Sequence, residues 1–268
     1  MRLMVDHLTL YRYDAPVRSI VQSHRLTPSI FAGQAVIDWE VTVSGGVEGA
    51  RHRDGAGDEV RGWTIAGPVT EVAVQVRGTV ETMDLSGVLR GHRESVAADC
   101  YLRDTAPTRI DPALAALGES ASGADMLSLA HALSAAVSGA IAYRPGVTHA
   151  HTTAAEALAL GEGVCQDHAH ALIACARYRG IPARYVSGYL FATEDGTMHE
   201  AAHAWAELHV AALGWVGFDP ANRCSPDARY IRLGSGFDAQ DAAPIRGIAR
   251  GGATEAMDVT VAILQAAQ

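Results

Sequence analysis

The sequence predicts an α+β protein built in two parts. Three observations carry this. The first hundred residues alternate apolar and polar side chains as strands do. The middle carries helix caps and helical periodicity. A group of strand-like stretches then follows the helices rather than alternating with them. The division falls near residue 100, giving a β-sandwich-like domain over 1–100 and an α+β domain over 101–268.

In the first part, Leu8-Thr-Leu-Tyr-Arg-Tyr13 opens as a strand. Ala35, Ile37, Trp39, Val41 and Val43 recur at every second position, the period of a half-buried strand, and Gly45-Gly46 stops it. Asp54-Gly-Ala-Gly-Asp58 reads as a hairpin turn leading into Val60–Ile65. Val72, Val74, Val76 and Val80 alternate again. No cluster of nucleophile, base and acid occurs in this part.

In the second part, Asp111-Pro112 is an N-cap followed by proline at the first helical position. Asp125 or Ser128 starts a second helix running to about Ile141, and Tyr143-Arg-Pro-Gly146 breaks it. Thr153-Ala-Ala-Glu156 has capping-box spacing and opens a short helix to Leu160. A longer helix follows from about Val164 to Tyr178, ended by Gly180-Ile-Pro182. Strand-like stretches come next at 183–190, 203–210 and 215–218. Beyond Asp219-Pro220 the chain is rich in Gly, Pro and Ala with little period, and a last strand spans 257–264, free to pack on either domain.

Composition narrows the function. Of 268 residues, 49% are hydrophobic and 19% charged, which excludes a disordered chain. The formal net charge of −9 argues against a phosphate-tracking nucleic-acid binder. No apolar run approaches the roughly 18–20 residues of a membrane span. The start, Met1-Arg-Leu-Met-Val-Asp6-His7, does not read as a secretory signal. Four scattered cysteines do not form a disulfide framework, so the cytoplasm is the expected compartment. All 21 basic residues are arginine, so this chain supplies no lysine chemistry.

The most informative stretch is Gly161-Glu-Gly-Val-Cys165-Gln-Asp-His-Ala-His170. It places Cys165 on the first turn of a helix, where free N–H groups and the helix dipole favour a thiolate. The same N–H groups are placed to donate to an oxyanion. Ala169, Leu172, Ile173 and Ala176 follow at i+4, i+7, i+8 and i+11, which predicts one buried stripe. Taken alone, Cys165 reads equally well as a small core residue.

His203 lies in Ala202-His-Ala-Trp-Ala-Glu-Leu-His209, sharing a strand face with Trp205, Glu207 and His209. Asp219 ends the next strand, Gly214-Trp-Val-Gly-Phe-Asp219-Pro. A carboxylate there can fix the tautomer of an imidazole on the neighbouring strand. Cysteine, histidine and aspartate, on helix, strand and next strand, form an order suited to thiol catalysis.

At these residues the sequence resembles the bacterial transglutaminase-like proteins, cysteine proteins of papain-like fold. The resemblance rests on Gly163-Val-Cys165-Gln-Asp167 with Ala169-His170, on Gly180-Ile-Pro-Ala-Arg-Tyr-Val-Ser-Gly-Tyr189, on His203-Ala-Trp-Ala-Glu207, and on Gly214-Trp-Val-Gly-Phe-Asp219-Pro. Residues 1–80 resemble the β-rich N-terminal region of these proteins, and Tyr101-Leu with Pro107-Thr-Arg109 resembles their linker. The resemblance implies a nucleophile on a helix N-terminus packed on an antiparallel sheet. It implies Cys165 as nucleophile, His203 as general base and then acid, and Asp219 as the orienting residue. The implied reaction is thiol-dependent acyl transfer on a peptide or amide substrate through a thioester, completed by water in a peptidase or amidase. Completion by an amine, as in a protein-glutamine amine transferase, is the alternative. A binding or scaffold module that keeps the fold is a third reading. No metal or organic cofactor is expected, and the substrate-binding residues are not identified.

Two departures from the family pattern stand out. His168 replaces a frequent aromatic and is placed either near the Cys165 sulfur or exposed on the first turn. Ser235-Gly-Phe237 does not reproduce the charged-aromatic tripeptide of the family's corresponding segment. The pairs His149/His151 and His168/His170 do not make a zinc site, because two residues turn a helix by about 200°. Cys175 is expected in the core, and Glu207 as a salt-bridge partner or edge residue.

Overall fold

The computed structural model describes residues 1–191 and 202–265. The first part is one six-stranded antiparallel sheet around two very long strands, β1 (Arg2–His24) and β4 (Glu59–Thr82). β2 (Gln34–Val43) and β3 (Gly46–Arg53) pair with successive lengths of β4. β11 (Ile245–Arg250) and β12 (Glu255–Gln265) pair with successive lengths of β1. The register of β1 on β4 shifts between Arg12, Val17 and Ser19, and such irregularities bend a sheet. Both halves then share one apolar cluster, with Leu3, Val5, Val74 and Val76 from one half and Val17, Ile20, Trp63 and Ile65 from the other.

The alternation read over 35–43 is broken. A register shift between Val36 and Asp38 leaves Val41 and Val43 buried but turns Ala35 and Ile37 outward. A bulge adds one residue, and with a period of two that exchanges the faces.

The second part begins with α1 (Pro112–Ser120), α2 (Met126–Ala140) and α3 (Ala154–Leu160). Their caps are those the sequence predicts. Asp111 accepts the Leu114 N–H at 2.8 Å, Asp125 accepts the Ser128 N–H at 2.7 Å, and Thr153 and Glu156 cap each other. Two short strands, β5 (Ala142–Tyr143) and β6 (Glu162–Gly163), pair in parallel just before α4 (Cys165–Tyr178).

α4 carries no single buried stripe. It is buried on every side from Asp167 to Arg177, because the three other helices cover one flank and a sheet covers the other. That sheet is antiparallel, in the order β10 (Tyr230–Gly236), β7 (Ala183–Leu190), β8 (Ala202–Val210), β9 (Gly214–Phe218). β10 and β11 lie in the stretch that shows little period in the sequence.

The two parts meet across buried charge. Arg232 on β10 bonds Asp58 Oδ1 and Ser29 Oγ of the first part, both at 2.6 Å, and Glu207 Oε1 at 2.8 Å. Ser235 sits at the same junction, giving its N–H and hydroxyl to Asp58 Oδ2 at 2.7 and 2.9 Å. Glu207 is therefore an interior partner rather than an edge residue. Tyr189, Ile231 and Leu233 complete the apolar cluster of the first part.

Candidate active site

The nucleophile's helix starts where local geometry compels it. Gly161 ends α3 in the left-handed conformation, with φ 71°, which only glycine adopts at little cost. Gly163 admits the Asp167 carboxylate, whose Oδ2 would lie 2.7 Å from any added Cβ. That oxygen accepts the Val164 N–H at 2.8 Å and the Thr148 hydroxyl at 2.6 Å, closing the helix entry. Cys165 is then the first residue of α4 and half-buried. The leading N–H groups of a helix have no intrahelical acceptor and point outward beside this sulfur.

His203 enters from β8 and Asp219 from the end of β9, its antiparallel neighbour. His203 Nε2 bonds Asp219 Oδ2 at 2.6 Å, with the two side chains only 7% and 1% exposed. Cys165 lies near enough to the imidazole to favour its charged form. With Nε2 committed to Asp219, the nitrogen left for the sulfur is Nδ1. The structure thus brings together all three side chains singled out in the sequence.

Charge follows this geometry. Burial penalises a protonated His203, but the bonds and charges of Asp219 and Cys165 outweigh it and hold the imidazole up at about 10. Burial would raise the Asp219 pKa. His203, Asn222 and Tyr230 instead hold it below the usual carboxylate value.

Two supporting residues are not singled out in the sequence. Asn222 gives Nδ2–H to Asp219 Oδ2 at 2.7 Å and its backbone N–H to Oδ1 at 3.1 Å. Tyr230 donates its hydroxyl to Oδ2 at 2.8 Å. Asn222 lies within the motif of Asp219, so its place was readable. Tyr230 arrives from β10, which gives no strand signal. Trp205 stacks near His203 at 6.3 Å between ring centroids and meets Tyr230 edge-on at 5.5 Å.

The remaining candidates fall elsewhere. His168 is buried rather than exposed on the first turn. Its ring nitrogens face the carbonyl oxygens of Val164 and Ile141, both at 2.9 Å. Cys175 is fully buried, and burial pushes its thiol up to about 12. Cys224 Sγ lies 3.2 Å from the Tyr230 hydroxyl. Among the described residues, no group of three or more His, Cys, Asp and Glu side chains is arranged to hold a metal.

A cysteine at a helix N-terminus, facing a histidine and a carboxylate on an antiparallel sheet, defines a papain-like thiol site. Residues 116–220 match the transglutaminase-like superfamily and residues 3–81 match the bacterial transglutaminase-like N-terminal region. An uncharacterized protein of Mycobacterium leprae (strain TN) is 33% identical over 279 residues, spanning 99% of this chain and 99% of that protein. An uncharacterized protein of Mycobacterium tuberculosis (strain H37Rv) is 43% identical over 116 residues, 40% of this chain and 37% of that protein. The chain belongs to the bacterial transglutaminase-like proteins, a family of thiol-dependent enzymes. Its fold is shared by a crystal structure described as "a Putative Cysteine Protease from Cytophaga hutchinsonii", with a TM-score of 0.73 and 22% identity over 100% of this chain and 92% of that one.

Proposed function

We propose that this protein is a cysteine peptidase or amidase acting through Cys165, His203 and Asp219. The observation that carries the reading is the convergence of Cys165 and Asp219 on His203, whose Nε2 bonds Asp219 Oδ2 at 2.6 Å. An imidazole held charged at neutral pH supports a thiolate partner. Thiolate attack on the carbonyl forms a C–S bond and places negative charge on the carbonyl oxygen, where the leading N–H groups of α4 can receive it. His203 then protonates the departing amine and the C–N bond breaks, leaving a thioester. Water, giving its proton to His203, releases the acid and restores the thiol. Asp219 holds the ring in the orientation that serves both steps.

The proposed substrate is a peptide or protein, and the proposed compartment is the cytoplasm, which suits four free cysteines. The test is the pH dependence of Cys165 alkylation, followed by mass spectrometry on the folded protein. Cys165 is expected to react faster than the other three thiols at neutral pH, and His203→Ala should abolish that advantage. A Cys165 that alkylates like the other thiols would sink the reading. An added primary amine incorporated into a glutamine peptide would move the reaction from hydrolysis to amine transfer.

A further inference from the structure

We propose that the groove beside the Asp219 turn is a subsite for an acidic side chain of the peptide substrate, with Arg223 as its cation. This rests on the thiol acyl-transfer reading of Cys165. The groove encloses about 570 Å³ and is lined by His131, Ser134 and Ser138 of α2 and by Phe218, Arg223 and Ser225. Its lining joins α2, whose end contacts the nucleophile's helix, to the turn that follows Asp219. Just beyond α2, the Ile141 carbonyl bonds His168 of the nucleophile's helix at 2.9 Å. From within α2, Ser138 Oγ accepts Arg223 Nε at 3.1 Å. Asn222, the residue before Arg223, touches His203 Nε2 at 3.2 Å and holds Asp219. Asn222 thus ties Arg223 through one peptide bond to the His203–Asp219 pair, beside which a peptide substrate would lie.

Three features mark Arg223 for an anion. It is exposed, yet held with φ 54°, a left-handed conformation that a non-glycine residue adopts only under constraint and that clusters at functional sites. Among the described residues no carboxylate forms an ion pair with its guanidinium, and its bond to Ser138 leaves both terminal nitrogens for a ligand. Neighbouring arginines differ, since Arg184 and Arg232 are committed to Glu207 and Arg229 to Asp227. Asp219 does not neutralise Arg223, because its carboxylate is buried against His203, Asn222 and Tyr230. A guanidinium fork beside serine hydroxyls matches a carboxylate.

The test uses protection of Cys165 from iodoacetamide, a neutral reagent. The probes are Ala-Ala-Gln-Ala-Ala peptides with each Ala in turn replaced by Glu or by Gln. At one position or more, Glu should protect at about three- to fivefold lower concentration than Gln, the scale of an accessible ion pair. That preference should vanish in Arg223→Gln and pass to an Arg-substituted peptide in Arg223→Glu. Equal protection by Glu and Gln at every position, no protection at millimolar peptide, or an unchanged preference in Arg223→Gln would overturn the proposal. The His203-dependent pH profile of iodoacetamide labelling is read without peptide. Its loss in the native protein would strike the thiol reading, while its retention with no Glu preference would strike the subsite alone.

Discussion

Asp219 Oδ2 accepts three donors, from His203 at 2.6 Å, Asn222 at 2.7 Å and Tyr230 at 2.8 Å. A carboxylate fixed by three donors from three chain segments cannot swing, so the imidazole it holds keeps one orientation. Asp219→Asn preserves the shape but offers an amide in place of the anion. It can favour the wrong imidazole tautomer and removes the charge that stabilises imidazolium. Turnover is expected to fall about 10³–10⁴-fold, with near-native stability by urea titration. A loss under tenfold in steady-state rate would remove Asp219 from the proposed role.

The same pair has a signature in stability against pH. His203 is raised from 6.5 to about 10, so its contribution is complete below about 6.5 and fades as pH rises through about 10. His7, His24 and His170 run oppositely, each lowered from 6.5 to about 4 chiefly by burial. The unfolded chain takes up their protons first, so stability falls as pH drops from about 6.5 to 4. The urea midpoint should be lower at pH 5 than at pH 7. His170→Gln should flatten that acid limb by up to about one proton. An equal acid loss in variant and native protein would exclude His170 as a contributor.

The junction between the two parts gives a separate prediction. Glu207 Oε2 accepts Arg184 Nε at 2.7 Å, and Oε1 accepts Arg232 Nε at 2.8 Å. Burial disfavours this charge, but the two guanidiniums hold the Glu207 pKa at about 2. Glu207→Gln leaves both cations buried with one carboxylate fewer. Its expected cost is about 3–5 kcal/mol, measured by urea unfolding at pH 7. A cost below 1 kcal/mol would mean that water or another carboxylate replaces Glu207.

Which of these features could be read from the sequence follows from how local their causes are. Asp111, Asp125 and the Thr153–Glu156 pair act within three residues, so their helices are legible. Cys165, His203 and Asp219 each sit in a short stretch whose elements follow from local pattern, and their meeting follows once helix and strands pack. β10 is not legible. Tyr230–Gly236 is buried throughout yet carries two glycines, a serine and Arg232, a composition that reads as loop. What makes it a strand is distant, since Arg232 is balanced by Asp58 and Glu207 and its backbone pairs with β7. Tyr230 was missed with the strand that carries it. The bulge in β2 was missed because nothing in an alternating run announces an extra residue.

His168 offers the last test, because it joins the nucleophile's helix to the end of α2. Its ring lies between the Val164 and Ile141 carbonyl oxygens, and Val164 is the residue that caps α4. His168→Phe keeps a flat ring of similar size but removes both polar contacts. Val164 O still accepts the Asp167 and His168 backbone N–H groups, at 3.0 and 3.1 Å. Ile141 O has no such second partner among the described bonds. The expected cost is about 1–3 kcal/mol, the scale of one buried acceptor left unmade, with the His203-dependent alkylation profile of Cys165 retained. A stability loss joined to loss of that profile would mean that His168 also sets the position of the sulfur. Stability unchanged in urea would mean that the Ile141 carbonyl finds another donor.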